Sequence, residues 1–288
     1  MSVPRGRLFA AFALASVGVA CTRTGRVPAI DKGSLSVKGS DTMVLLGQRW
    51  AEEYMNANPT IAVRVTGGGS GTGIAALING STDICESSRR LTEREKADVL
   101  AKTKASAVET KVALDALAVY VNETSGLRAI SLPALAKIYS GATTSWRDLG
   151  GPDHLIVLYG REDNSGTYAY FKEHVLAGQD FAAATQSLAG TSAVASAVKG
   201  DPFGIGYGGI AYLEGVRALE IKATETSTAV APSLGSAEDG TYPVSRYLYF
   251  YTAGEPAEAT RSFIDWVVGP GGQKIVTDVG YYPLPGKG

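Results

Sequence analysis

Three segments of this chain pass from a strand-like run, through a turn rich in Ser, Thr and Gly, into a run with helical spacing. The turns occupy residues 39–42, 67–73 and 161–167. Strands followed by helices are typical of α/β proteins, in which such turns meet at the carboxyl ends of the strands and ligands bind there. The pattern therefore predicts an α/β fold with a binding site at that edge of the sheet.

The turn at 161–167 has the composition of an anion site. Ser165 precedes an amphipathic run that begins at Tyr168, so free backbone amides and the positive end of the helix dipole are expected beside it. Arg161 adds a planar guanidinium that can hold a phosphate or a carboxylate with two parallel donors. A second interpretation remains open here, in which Asn164 and Ser165 only cap the helix and Arg161 forms a surface ion pair.

The glycine-rich turn at 67–73 matches neither of two common nucleotide-binding motifs. Ile74 stands where the lysine of a Walker loop would follow the last glycine, and Asp83 comes too early to contact a ribose. The loop is better suited to a small anion held by backbone amides, although a loop with no ligand is also possible.

Seven segments, in this order and spacing, resemble the phosphate-binding proteins of ABC transporters (PstS-type): 39–43, 67–73, 83–89, 135–148, 161–167, 204–207 and 242–246. The resemblance covers nearly the whole chain after residue 33. It implies a two-lobed periplasmic-binding-protein-like fold of type II, in which each lobe is a central mixed sheet flanked by helices and two crossing strands join the lobes. It also implies extracytoplasmic binding of inorganic phosphate in the cleft and delivery to the permease subunits of an ABC importer.

Carried over residue by residue, the resemblance assigns phosphate contacts to one set of positions: Ser40, Thr42, the amide of Met43, Ser70, Ser88, Arg161, Ser165, Gly166 and Thr167. Ser88 departs from the pattern, because some members have an aspartate there that accepts the hydrogen of the ligand. A fixed carboxylate of this kind would repel fully ionised sulfate. Asp41, Glu86 and Asp163 are the candidates to replace it, and each is equally plausible as a structural carboxylate.

Several other functions remain open. The site could hold sulfate, arsenate or molybdate, or serve a phosphate sensor or scavenger. A serine hydrolase or phosphatase using Ser70 or Ser165 is a more distant alternative, because His154 and His174 have no recognisable triad context. The sequence has no cluster of metal ligands either, so we expect no catalytic residue, metal or cofactor.

The N-terminus indicates export. Residues 1–20 read as a signal peptide, with Arg5 and Arg7 before a short apolar run, and 21–33 as a tether. Cys21 is positioned for lipidation, which predicts a protein of the periplasm or cell envelope that contacts the membrane only through its lipid anchor. Gly18 departs from the usual pattern before a lipidated cysteine, so a simple cleaved secretory peptide is the alternative.

Lobe boundaries follow from two apolar runs, at 112–121 and 247–251, that are suited to crossing between the lobes. We predict lobe I at 34–114 plus 245–288 and lobe II at 115–244. The formal net charge of −1 becomes more negative when the signal peptide is removed, which excludes an electrostatic attraction to nucleic acid. We expect a monomer, with Cys85 packed as a small apolar residue.

Overall fold

The computed structural model describes residues 1–2 and 33–287. Residues 3–20 of the predicted signal peptide, most of the tether and the predicted lipidation residue Cys21 lie outside the described residues. Lys32–Gly288 forms one compact unit. In the described part of this unit no helix is long and apolar enough to cross a membrane.

Strands and helices alternate along most of the unit, as the turns predict. The strands are β1 (Gly33–Gly39), β2 (Ile61–Thr66), β3 (Ile84–Ser87), β4 (Ala107–Asn122), β5 (Ala129–Ser131), β6 (Val157–Arg161), β7 (Gln186–Leu188), β8 (Gly204–Gly209), β9 (Val216–Ala218), β10 (Glu220–Lys222) and β11 (Ser245–Ala253). The helices are α1 (Val44–Ala57), α2 (Ser70–Ile78), α3 (Glu93–Thr103), α4 (Leu132–Tyr139), α5 (Gly166–His174), α6 (Thr191–Gly200), α7 (Leu234–Glu238), α8 (Glu258–Val268) and α9 (Pro270–Val279).

The main sheet is mixed and runs in the order β2-β1-β3-β11-β4-β8-β6-β7, with β9 also paired to β4. Strands β1, β2 and β3 are parallel to one another, and β6 is parallel to both β7 and β8. Antiparallel β11 and β4 lie between these two parallel groups. The predicted mixed α/β architecture is therefore correct.

Strand β4 belongs to both halves of the sheet. Its residues 107–116 pair with β11, and residues 117–121 pair with β8. Strands β4 and β11 both extend beyond the apolar runs from which they were predicted. Their polar ends continue the same ladder of backbone hydrogen bonds. The lobe boundaries at 114/115 and 244/245 stay a prediction.

Helix α1 is anchored to the core by its apolar face. Leu46, Trp50 and Tyr54 form its buried face, as their spacing predicts. The Trp50 indole donates a hydrogen bond to the Gly272 carbonyl at the start of α9. The turn at residues 40–43 joins β1 to α1, which places its side chains at the carboxyl end of β1.

Candidate functional site

A cluster of buried hydroxyl and guanidinium groups lies where the strand ends and helix starts meet. We call it the hydroxyl–arginine cluster and define it as Thr42, Ser70, Ser88, Arg161, Thr167, Thr191 and Arg246. Each of these residues is at most 6% exposed. Buried polar groups on this scale require partners, so their contacts decide what the cluster can bind.

The hydroxyls form a chain that joins the two parallel groups of strands. The Thr42 hydroxyl lies 2.7 Å from the Thr167 hydroxyl and 3.4 Å from that of Thr191. Ser88 lies 3.5 Å from Thr167 and 3.3 Å from Ser70. The turns at 39–42, 67–73 and 161–167 therefore converge, as predicted from open α/β sheets. Each hydroxyl can act as a donor or an acceptor, so an oxyanion could replace these mutual contacts.

Arg161 is the last residue of β6 rather than part of the following turn, which corrects the sequence-based boundary. Its side chain is buried, so the interpretation as a surface ion pair is wrong. One terminal nitrogen donates to the Thr191 hydroxyl at 2.7 Å and the other to Asp41 at 3.1 Å. Its Nε has no partner among the described residues. Burial lowers the pKa of Arg161, and the nearby charge of Asp41 acts in the opposite direction. Because an arginine stays protonated in proteins, the positive charge of Arg161 remains.

Arg246, near the start of β11, is a second guanidinium in the cluster, and the sequence analysis missed it as a site residue. Its Nε donates to Asp115 at 3.0 Å, and one terminal nitrogen contacts both Asp115 and the Thr167 hydroxyl, the latter at 3.0 Å. The other terminal nitrogen is buried with no partner in residues 33–287. Burial raises the pKa of Asp115, and Arg246 works against that rise.

Thr191 was also missed, although the sequence carries a signal for it. Gly190 and Thr191 follow the short strand β7 and begin α6, which is a fourth strand-to-helix turn of the same composition. Arg246 lies in the segment 242–246, which contributed to the family resemblance but has no turn pattern of its own.

The glycine turn and the α5 turn contact each other directly. The Gly71 amide donates to the Asn164 carbonyl at 2.8 Å, and the Asn164 side chain donates to the Gly68 carbonyl at 3.0 Å. A Cβ added to Gly166 would lie 2.7 Å from the Ser88 hydroxyl and closer still to Ser70. Glycine at 166 thus permits the close approach of the two turns.

Three of the predicted contact residues, Ser40, Met43 and Ser165, use polar groups for hydrogen bonds within the protein. The Met43 amide donates to the Ser40 carbonyl at 2.9 Å, and the Ser40 amide donates to the Glu86 carbonyl at 3.0 Å. The Ser165 hydroxyl accepts the amides of Thr167 and Tyr168 as the N-cap of α5. The capping role proposed for Ser165 is therefore correct, and the phosphate-contact roles of these residues stay predictions.

The three candidate proton acceptors lie in different environments. Asp41 uses one carboxylate oxygen for Arg161 and the other for the Gly68 amide, at 2.7 Å. Glu86 is fully buried beside Gly47, and neither of its carboxyl oxygens has a partner in the described structure. Burial, and next the charge of Asp41, raises the pKa of Glu86 well above its usual range. Asp163 is exposed.

The histidines lie against other side chains. His154 stacks on Phe203 with ring centroids 3.9 Å apart, and His174 stacks on Tyr170 at the same separation. In the described residues no three His, Cys, Asp or Glu side chains are grouped as metal ligands would be. The arrangement at the cluster is thus suited to holding an anion with hydroxyl and guanidinium donors.

Comparison with known proteins identifies relatives along nearly the whole chain. Residues 26–270 match the family model described as the PBP superfamily domain. The chain is 32% identical to the phosphate-binding protein PstS of Pseudomonas aeruginosa over 308 residues, which covers 98% of this chain and 95% of the relative. It is 35% identical over 256 residues to the PstS of Bacillus subtilis, covering 88% of this chain and 81% of that protein.

Solved structures share the fold. A putative phosphate ABC transporter substrate-binding protein with bound phosphate, from Clostridium perfringens, aligns with a TM-score of 0.80 and 27% identity over 88% of this chain and 100% of its own. An ABC-type phosphate transport receptor from Vibrio cholerae aligns with a TM-score of 0.70 and 26% identity, over 87% and 100% of the two chains. The chain therefore belongs to the PstS family of phosphate-binding proteins, within the PBP superfamily.

Proposed function

We propose that this protein binds inorganic phosphate in the hydroxyl–arginine cluster and delivers it to an ABC-type importer. The observation that carries this proposal is the pair of buried guanidinium groups, Arg161 and Arg246, each with an unpartnered N–H among the described residues. Unpartnered buried donors are costly, and an anion placed among them would supply the missing acceptors.

The hydrogen bonds that the cluster can form to an anion are strong enough for micromolar binding. A hydrogen bond to a charged group contributes roughly 1.5–3 kcal/mol, and micromolar binding needs about −8 kcal/mol. Four to six such bonds from the two guanidinium groups and the cluster hydroxyls would reach that value after the ordering cost, on the order of several kcal/mol. A metal ion is not needed for binding of this strength.

Phosphate titration by calorimetry tests the proposal. Wild-type protein should bind phosphate with micromolar or tighter affinity, about −8 kcal/mol or better. Arg161→Ala should weaken binding by roughly tenfold or more, because a charge-assisted donor is lost, and should keep the fold by circular dichroism. Arg147→Ala, which removes an exposed arginine, is the matched control. An Arg161→Ala affinity within about threefold of wild type would contradict the assigned role.

We infer a binding protein rather than an enzyme, since the relatives are named as binding proteins and transport receptors. A generic phosphate ester, incubated with the same preparation, should release no phosphate. Release that disappears in Ser70→Ala or Ser165→Ala would instead support the hydrolase alternative.

We also propose export, with a lipid on Cys21, and a partnership with the permease subunits of a phosphate importer. The motif at residues 1–21 and the transporter context in the relatives' names support this. Metabolic labelling with a radioactive fatty acid should mark the wild-type protein and not Cys21→Ala. Deletion of the gene should slow phosphate uptake at low phosphate; unchanged uptake would favour a sensor or scavenger.

A further inference from the structure

Asn164, which is not part of the hydroxyl–arginine cluster, contacts the glycine turn at 67–73 with both its backbone and its side chain. Its carbonyl accepts the Gly71 amide at 2.8 Å, and its side-chain amide donates to the Gly68 carbonyl at 3.0 Å. Ser165, and not Asn164, is the N-cap of α5. The polar groups of Asn164 therefore serve the glycine turn rather than their own helix.

Helix α2 obtains a cap from this contact. It begins at Ser70 after Gly69, and no side chain of the described residues caps it. The first amides of a helix have no acceptor within the helix. The Gly71 amide is one of these, and the Asn164 carbonyl supplies its acceptor. The start of α2, which follows β2, is thus oriented by a residue that follows β6, in the other parallel group of strands.

The orientation of α2 matters because its first residue, Ser70, belongs to the cluster. The Ser70 hydroxyl accepts the Ser88 amide at 3.1 Å and lies 3.3 Å from the Ser88 hydroxyl. Thr167 comes three residues after Asn164 and lies 3.5 Å from the same hydroxyl. Asn164 therefore connects the two turns that place Ser70 and Thr167 around Ser88.

Two glycines make room for the Asn164 carbonyl. A Cβ on Gly69 would lie 2.7 Å from this oxygen, and a Cβ on Gly71 would lie 3.0 Å from it. Gly69 also has a φ of +88°, which residues with side chains rarely adopt. Larger residues at these positions would hold the two turns apart. The glycine turn is therefore shaped to receive Asn164.

We propose that Asn164 is a positioning residue that keeps the two turns closed over bound phosphate and so slows its release. This inference rests on the proposed function and concerns its kinetics. Ser70 and Thr167 are fully buried, so an anion among them leaves only when their turns separate. Separation breaks the bonds of Asn164 to the glycine turn, whereas an arriving ion enters before those bonds form. Loss of these bonds should therefore raise the dissociation rate and leave the association rate nearly unchanged.

Exchange of bound radioactive phosphate against excess unlabelled phosphate, followed by rapid filtration of the full-length chain, measures the dissociation rate constant. The calorimetric Kd of the same protein then gives the association rate constant. Asn164→Ala removes the donor to Gly68 and a 3.5 Å contact with the Thr72 hydroxyl. It should raise the dissociation rate constant by roughly threefold to tenfold, the effect of one neutral hydrogen bond, and leave the association rate constant within about twofold of wild type.

Asn79→Ala is the matched control, because it removes an exposed asparagine at the other end of α2. It should change neither rate constant by more than about twofold. An increase of less than about threefold in the dissociation rate constant of folded Asn164→Ala would overturn this inference and leave the proposed function intact. A loss of affinity through slower association would also overturn it, because Asn164 would then act on entry. Failure of the wild-type protein to bind phosphate would overturn both proposals.

Gly71→Ala tests the same contact from the other turn. Its Cβ would approach the Asn164 carbonyl to 3.0 Å and push the two turns apart. Phosphate should again dissociate at least about threefold faster, and an unchanged dissociation rate in the folded variant would contradict the proposal. If thermal unfolding shows that Asn164→Ala does not fold, Gly71→Ala decides.

Discussion

Replacement of Glu86 by methionine should stabilise this protein. Glu86 is fully buried on β3, and neither carboxyl oxygen has a hydrogen-bond partner among the described residues. A buried polar group without a partner costs about 1–3 kcal/mol. Methionine has a similar length and adapts to irregular spaces, so Glu86→Met removes that cost with little change in volume. The gain corresponds to a rise in melting temperature of about 2–12 °C for a domain of this size.

The gain should also depend on pH, with a definite sign. Burial raises the pKa of Glu86 in the folded state above that of the unfolded chain, which is about 4.3. Between these two pKa values the folded protein binds more protons than the unfolded chain, so this carboxyl makes the free energy of unfolding fall as pH rises. Methionine has no proton to lose. The advantage of Glu86→Met should therefore be smaller near about pH 4.5 and larger near about pH 8.

Thermal unfolding of wild type and Glu86→Met at these two pH values measures both effects. Glu225→Met, at an exposed position, is the matched control and should change stability by less than about 0.5 kcal/mol. A melting temperature lowered at both pH values would show that the carboxyl contributes favourably and refute the reasoning. A gain of equal size at both pH values would refute the assignment of a raised pKa.

Three further results are expected. Gly166→Ala should weaken phosphate binding by at least about tenfold and lower the melting temperature, since its Cβ would collide with Ser70 and Ser88; unchanged affinity in calorimetry would contradict this. Cys85 should react slowly with a thiol reagent until denaturant is added, because burial raises its pKa; rapid labelling of the native protein would be inconsistent with the structure. Thr92→Ala should cost about 1 kcal/mol by removing the capping box of α3, and an unaltered unfolding midpoint would count against that contribution.

Much of the fold and five of the seven cluster residues could be predicted because the signals are local. The spacing of Leu46, Trp50 and Tyr54 gives the buried face of α1, and Ser70 and Thr167 stand in turns whose composition is itself informative. A helix start or a tight turn is specified by a few adjacent residues. The positions that follow from such turns are accordingly the ones that sequence analysis located.

The residues that were missed depend on distant contacts. Arg246 enters the cluster because β11 pairs with β4 in a register that places it opposite Asp115, 131 residues earlier in the sequence. Periodicity within one strand does not specify that pairing. Thr191 follows a strand of three residues, too short for an alternating pattern to show. The Arg161 boundary was misplaced because its strand continues, beyond the apolar residues, to a pairing with Leu188.

The chain of hydroxyls has a consequence for how the site can respond to a ligand. Arg161 donates to Thr191 at one end and Arg246 donates to Thr167 near the middle, so both oxygens receive hydrogens and turn their own toward neighbours. Thr42, between them, can point its hydrogen either way. A change in these hydrogen positions needs only rotation about the C–O bonds of the hydroxyls. The cluster hydroxyls can thus exchange donor and acceptor roles without movement of any strand or helix, while the two guanidinium groups keep the site positive.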